Sequence, residues 1–259
     1  QLARIEESSA QRVILLCSKV SSYNRKRLID HGVQFIVPEN QLFLPELGLD
    51  LREYYRAAPK KSSFLSPSAQ AIILMILYSR NYQSLTTKEL ARKTGFSMMT
   101  LNRVFDELLR FELAKESTTS ARERSLSMVL RGRELWEAAR KYMLNPVRHK
   151  KKATFKQGLA AYKTAGLSAL SRMSMLAGPR TPVVAMTSAE YNLALSRHDL
   201  REVQNPYPNE VEVEVWKYNP DIVTSEDIVD PFSLYLSLQD DEDTRTVGEL
   251  DKMMETIQW

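Results

Sequence analysis

The sequence predicts an α+β fold, with a central helical module and a short ribbon between two further α/β segments. Three observations carry that expectation. Strand-like apolar runs and helix-capping sequences alternate along the 259 residues with no internal repeat. Three cap sequences between residues 66 and 97 mark three helices in close succession. The charge is also divided, because residues 84–165 hold 18 basic and 8 acidic side chains while residues 166–259 hold 7 and 17. A basic middle beside an acidic end fits nucleic-acid contact through one segment, or mutual neutralisation within one fold.

The elements follow in order. Val13-Ile14-Leu15-Leu16 is a short apolar strand, and Ser21 or Ser22 caps a basic helix through Arg25, Lys26 and Arg27 that Gly32 ends. Val33 to Val37 and Gln41 to Pro45 are extended pieces, so residues 1–56 form an N-terminal strand–helix–strand unit. Ala57 to Ser63, with Pro59, Lys60 and Lys61, reads as a linker.

Ser66-Pro67 is a cap followed by a proline at the first helical position, where its missing N–H costs nothing. The apolar run Ala71 to Tyr78 makes that helix mostly buried. Thr86-Thr87-Lys88-Glu89 is a capping box, and Gly95 supplies the left-handed turn that ends the short helix it opens. Ser97 caps a third helix to about Phe111. At 100° per residue, Leu101, Val104, Phe105 and Leu108 form one inward stripe, with Met99, Arg103, Asp106 and Arg110 opposite. Leu113 to Ser120 and Arg124 to Leu130 read as two strands about a turn at 121–123, and Gly132 to Tyr142 as an amphipathic helix. Helix, helix, turn, helix, ribbon, helix is the order of a winged helix-turn-helix, placed at residues 64–144.

Leu90-Ala91-x-x-x-Gly95-Phe96-Ser97-x-x-Thr100-Leu101-x-x-Val104 resembles the helix-turn-helix core of bacterial transcription regulators of the MarR (multiple antibiotic resistance regulator) type. The resemblance covers about residues 66–142. The stretches Val33 to Pro38, Gln41 to Pro45 and Asp230 to Leu238 are similar to parts of bacterial proteins called MarR-like regulators. Here the module sits in the middle of a longer chain, so the dimerisation arms of the compact family pattern are not implied.

Beyond it, residues 145–157 read as a basic connector containing Lys150, Lys151 and Lys152. Residues 158–259 read as an acidic C-terminal α/β domain for dimerisation, a partner or an effector. Within it, Gly158 to Leu176 is helical with a break at Gly166, and Pro182 to Met186 is a strand. Thr187 to Glu190 caps a helix. Val211, Val213 and Val215 alternate with Glu212, Glu214 and Trp216 as a half-buried strand with one acidic face. Asp240 to Trp259 is a terminal helix.

Enzymatic chemistry finds little support. The closest glycines, Gly158 and Gly166, are eight residues apart, which excludes a Walker loop, a dinucleotide fingerprint and a Gly-x-Ser-x-Gly elbow. His31, His149, His198 and the single Cys17 are scattered, so no metal and no cofactor is expected. Glu212 and Glu214 share a strand face, but a nuclease-type lysine two positions on is replaced by Trp216. The aromatics Trp136, Trp216, Tyr218, Tyr235 and Trp259 read more readily as core than as a pocket. The longest apolar run, Ala71 to Tyr78, is far short of the roughly 20 residues of a membrane helix. A cytoplasmic protein without membrane contact is the expectation.

The expected function is sequence-specific binding of double-stranded DNA by a dimeric transcriptional regulator, most simply a repressor. Candidate contacts are Ser97, Met99, Thr100, Asn102, Arg103 and Arg110 on the third helix. Arg122 and Arg124 at the wing tip would meet backbone or minor groove, and Lys150, Lys151 and Lys152 would add phosphate contacts. Two alternatives remain. One is an antitoxin-like autoregulator with a protein partner, since Ala165 to Leu170 is similar to a stretch of abortive-infection antitoxins. The other is an interaction scaffold that never touches DNA.

Overall fold

The computed structural model describes residues 13–38, 41–47, 49–52, 62–81, 85–117, 124–156, 158–203 and 209–259. The chain divides into two units, Gln1–Ser62 and Ser63–Trp259. In the first, β1 (Leu15–Leu16), α1 (Ser22–Asp30), β2 (Phe35–Val37), β3 (Gln41–Leu44) and β4 (Leu49–Arg52) follow in order. The sheet runs β1-β2-β3-β4, with β1 and β2 parallel as a strand–helix–strand crossover requires. Ser21 caps α1, accepting from the Asn24 N–H at 3.2 Å. Phe35, Val37 and Phe43 are its buried core, with Leu28 and Ile29 packed on it. Strand β4 extends the unit beyond the elements the sequence predicted. Residues 57–61 of the expected linker lie outside the described residues.

The second unit is organised around α2 (Pro67–Ser79), whose residues Ala69 to Leu77 are all buried. A helix apolar all round must be enclosed on every side. Strand β5 (Leu85–Thr86), helices α3 (Thr87–Thr94) and α4 (Met98–Arg110), strands β6 (Ala114–Ser117) and β7 (Ser125–Met128), and helix α5 (Gly132–Arg140) come next. The three strands form one sheet in the order β5-β7-β6, and residues 118–123 lie outside the described residues.

Residues 145–157 are not a connector. Strand β8 (Val147–Phe155) occupies most of that stretch and lies inside a five-stranded sheet of order β11-β8-β12-β10-β9. Its partners are β9 (Lys163–Thr164), β10 (Val183–Thr187), β11 (Leu200–Glu202) and β12 (Val211–Trp216). Among the described residues, the β10–β12 pair of this sheet is parallel and the others are antiparallel. The basic run forms a strand because β12 faces it with carboxylates, Lys150 standing opposite Glu214 and Lys152 opposite Glu212.

Helices α6 (Gly166–Met173), α7 (Ser188–Ser196), α8 (Pro231–Leu238) and α9 (Thr244–Thr256) complete the unit. One sheet face, with Ala153, Val184, Met186, Val211, Val213 and Val215, is covered by Tyr191 and Ala194 of α7. On the other, Val183, Ala185 and Trp216 join a single core with α2, α4, α5, α6, α8 and α9. Residues 64–144 and 158–259 therefore share one interior rather than standing as two domains. Glu214 and Trp216 are also fully enclosed, so β12 is buried on both faces where its alternation predicted one wet face.

The expected helix with a break at Gly166 is instead a single turn (Leu159–Ala161), strand β9, and a helix that begins at Gly166. Gly166 has φ +51°, and a Cβ there would lie 2.9 Å from Val183 Cγ1 and 3.0 Å from Glu214 Oε1. Both the backbone and the space demand glycine. Trp136, Trp216 and Tyr218 fall in the core, with Tyr235 and Trp259 packed against it: Trp136 meets Phe232 with tilted rings at 5.3 Å, and Trp216 meets Tyr218 edge-on at 5.6 Å. Among the described residues, no helix is long and apolar enough to cross a membrane.

Candidate nucleic-acid interface

Local sequence fixes how α4 is presented. Thr86 and Glu89 close both halves of the capping box on α3, and the bond from the Thr86 N–H holds the Glu89 carboxyl below its usual range. Gly95, at φ +71°, ends α3, and Thr94 Oγ1 donates to Leu90 O and accepts from the Phe96 N–H. Ser97 then caps α4, accepting from the Thr100 N–H at 3.2 Å. Leu101, Val104, Phe105 and Leu108 are buried, which leaves the opposite side of the helix outward.

That outward side carries Met98, Met99, Asn102, Arg103 and Asp106, all exposed. Met99 is 66% exposed, beside Met98 at 44%. Arg103 lies against Met99, Nη2 to Sδ 3.6 Å, and has no carboxylate partner among the described residues. Ser97 and Thr100 are joined hydroxyl to hydroxyl at 3.0 Å, so both serve the helix start. Arg110 is half-buried with its guanidinium over the Phe111 ring at 4.4 Å, away from the first turns.

Two acidic residues on α4 have structural work. Glu107 Oε2 accepts from the Ser66 N–H and Oγ at 3.1 and 2.7 Å, tying α4 to the start of α2. Asp106 receives Arg124 Nη2 at 2.7 Å, and Arg124 also reaches Glu116 and the Asn102 carbonyl. Arg124 thus clamps β7 to α4 rather than standing free at a hairpin tip. Arg122 lies outside the described residues.

The three lysines of β8 are likewise engaged. Lys150 Nζ is 2.9 Å from Glu212 and 3.3 Å from the buried Glu214, Lys151 pairs with Glu202 at 3.5 Å, and Lys152 with Glu210 at 3.1 Å. Burial raises the Glu214 carboxyl, and Lys150 and the Trp216 indole N–H pull it back. Sequence reasoning sought a lysine on β12 itself; the structure supplies one from the neighbouring strand. The complementary run of lysines and the alternating glutamates was the available signal. For the Arg124 and Glu107 ties, whose partners are 18 and 41 residues away, there was none.

Met99, Asn102 and Arg103 are therefore brought together on one exposed helical face, while Arg110, Arg124 and the β8 lysines are held elsewhere by other partners. Among the described residues, no group of three or more His, Cys, Asp or Glu side chains is placed to hold a metal ion. No family model, no curated protein and no solved structure matches the chain.

Proposed function

We propose that this protein is a sequence-specific double-stranded DNA-binding regulator of transcription that reads the major groove with α4. The single observation that carries the reading is the outward face of α4, where a guanidinium, an amide and an exposed thioether stand together with no carboxylate partner for the arginine among the described residues. Arginine pairs bidentately with guanine, asparagine with adenine, and a methionine packs against a thymine methyl. The order α2, β5, α3, α4, β6, β7 and the strand order β5-β7-β6 support a winged helix-turn-helix arrangement around it. In this reading, two such helices of a cytoplasmic homodimer enter successive major grooves, and occlusion of polymerase is the simplest consequence.

The test is a titration of the full chain on its own upstream DNA against a scrambled duplex. Arg103→Ala is expected to lose about 1–3 kcal/mol of discrimination at one base pair while leaving the fold intact. Equal affinity of the wild type for both duplexes overturns the reading.

A further inference from the structure

Among the described residues, strand β11 is an edge of the five-stranded sheet and pairs with β8 alone. Where the end of α7 turns into it, a groove of about 680 Å³ opens, lined by side chains of β8, α7 and β11. A volume of that order suits an organic ligand rather than a bare ion.

Three cations and an imidazole line it: Lys156 beyond β8, Arg197 and His198 beyond α7, and Arg201 on β11. All four are exposed, and none makes an ion pair among the described residues. Of the two lining acids, Glu202 is already held by the Tyr191 hydroxyl and Lys151, which leaves Asp199. Cations at the end of α7 would by themselves only complement its dipole. That account does not reach Lys156 and Arg201, which line the same groove from just past the end of β8 and from β11. The remaining wall is apolar, with Leu200 buried, Leu195 half-buried, and the Phe155 ring packed on Tyr162 at 5.4 Å.

His198 adds a separate indication. It ends α7 at φ +59°, with its N–H on Leu195 O and the Asp199 N–H on Ala194 O. Glycine is the favoured residue for that left-handed closing position, because a side chain there adds strain. The chain instead carries an imidazole at the rim of the groove.

We propose that this groove binds a nucleotide-sized phosphate monoester. Arg197, Arg201, Lys156 and His198 take the phosphate, and the flat, weakly polar body lies against Phe155 and Leu195. Arginine forks match phosphate oxygens in pairs, which favours this head group over a single-point anion. The inference goes beyond the DNA reading and does not depend on it.

Isothermal titration calorimetry of the full chain with adenosine monophosphate tests it, with adenosine and inorganic phosphate as partial probes. Saturable binding of the monophosphate is expected, at least tenfold tighter than either fragment. The double variant Arg197→Ala/Arg201→Ala should weaken it at least tenfold with the melting temperature unchanged. Arg148→Ala, an exposed cation on β8 outside the groove, should leave it as it was. His198→Gly should raise the melting temperature yet weaken the monophosphate, a trade that a merely structural helix end does not make. A 5′-phosphorylated oligonucleotide that competes for the same site, and loses affinity in the same double variant, would identify a nucleic-acid terminus as the source of the ester. Absence of binding, adenosine bound as tightly as its monophosphate, or affinity retained in the double variant overturns the proposal.

Discussion

Asp230 offers a quantitative test of how the core is built. It caps α8 with Oδ1 accepting from the Ser233 N–H at 2.8 Å, while Oδ2 is buried without a hydrogen-bond partner. Its side chain is fully enclosed, and burial pushes the carboxyl up to about 6 from an ordinary 3.8, against the opposing bonds from Ser233. A folded pKa above the unfolded one means that the native state binds the proton more tightly. Stability from this group is therefore present at low pH and lost as pH rises through about 6. Integrated between pH 8 and pH 5, the difference is about 1.4 kcal/mol, and the full penalty at high pH approaches ~3 kcal/mol.

Asp230→Asn keeps the capping oxygen and removes the charge. Relief of that penalty, set against about 1–2 kcal/mol for an amide N–H left without a partner, makes the variant more stable than wild type by roughly 1–2 kcal/mol at pH 8. By pH 5 most of that advantage is gone. Urea unfolding followed by tryptophan fluorescence reads the right unit, because Trp136, Trp216 and Trp259 all lie in Ser63–Trp259. Other carboxylates titrate in both proteins, so the difference between the two curves isolates Asp230. A difference that stays constant from pH 5 to pH 8 would refute the reasoning.

Two further perturbations probe the same unit. Gly166→Ala forces a Cβ into Val183 and the Glu214 carboxylate at a left-handed φ, and should cost about 3 kcal/mol in urea unfolding. A melting curve unchanged from wild type would show that the β10–α6 approach is looser than described. Lys150→Ala leaves Glu214 without its counter-charge and should cost about 2 kcal/mol, less than a fully buried pair because the lysine is 47% exposed. Adding Glu214→Gln to Lys150→Ala should recover much of it, and failure to recover would place the loss in the lysine's packing instead.

Much of the central fold was legible because its signals are local. The caps at Ser66, Thr86 and Ser97, the left-handed Gly95 and the inward stripe of α4 all lie within four residues of the groups they govern. The outward Met99, Asn102 and Arg103 follow from the same periodicity. What the sequence hid is long-range. A run of lysines reads as a solvated connector until the strand that neutralises it is known, and Glu210, which leads into β12 and pairs with Lys152, is 58 residues away. The half-buried alternation of β12 misled for the same reason, since Trp216 and Glu214 are covered by helices the strand itself does not announce. Gly166 looked like a helix breaker because glycine in a helical stretch usually is one; here its left-handed φ starts the helix against Val183.

The charge division acquires a physical meaning from these pairings, and it constrains the DNA reading. The surplus of basic side chains in residues 84–165 is not one free surface. Lys150, Lys151 and Lys152 face Glu212 and Glu214, Glu202 and Glu210, while Arg124 faces Asp106 and Glu116. A lysine already paired can neutralise a phosphate only by giving up its carboxylate, which leaves that acid to repel the same phosphate. Each phosphate contact contributes about 0.9 to the slope of log affinity against log salt. Lys151→Ala/Lys152→Ala should therefore leave that slope within experimental error of wild type on cognate DNA. A slope reduced by about 2 would mean that both lysines exchange their carboxylates for phosphates on binding. The interface would then extend from α4 across the five-stranded sheet.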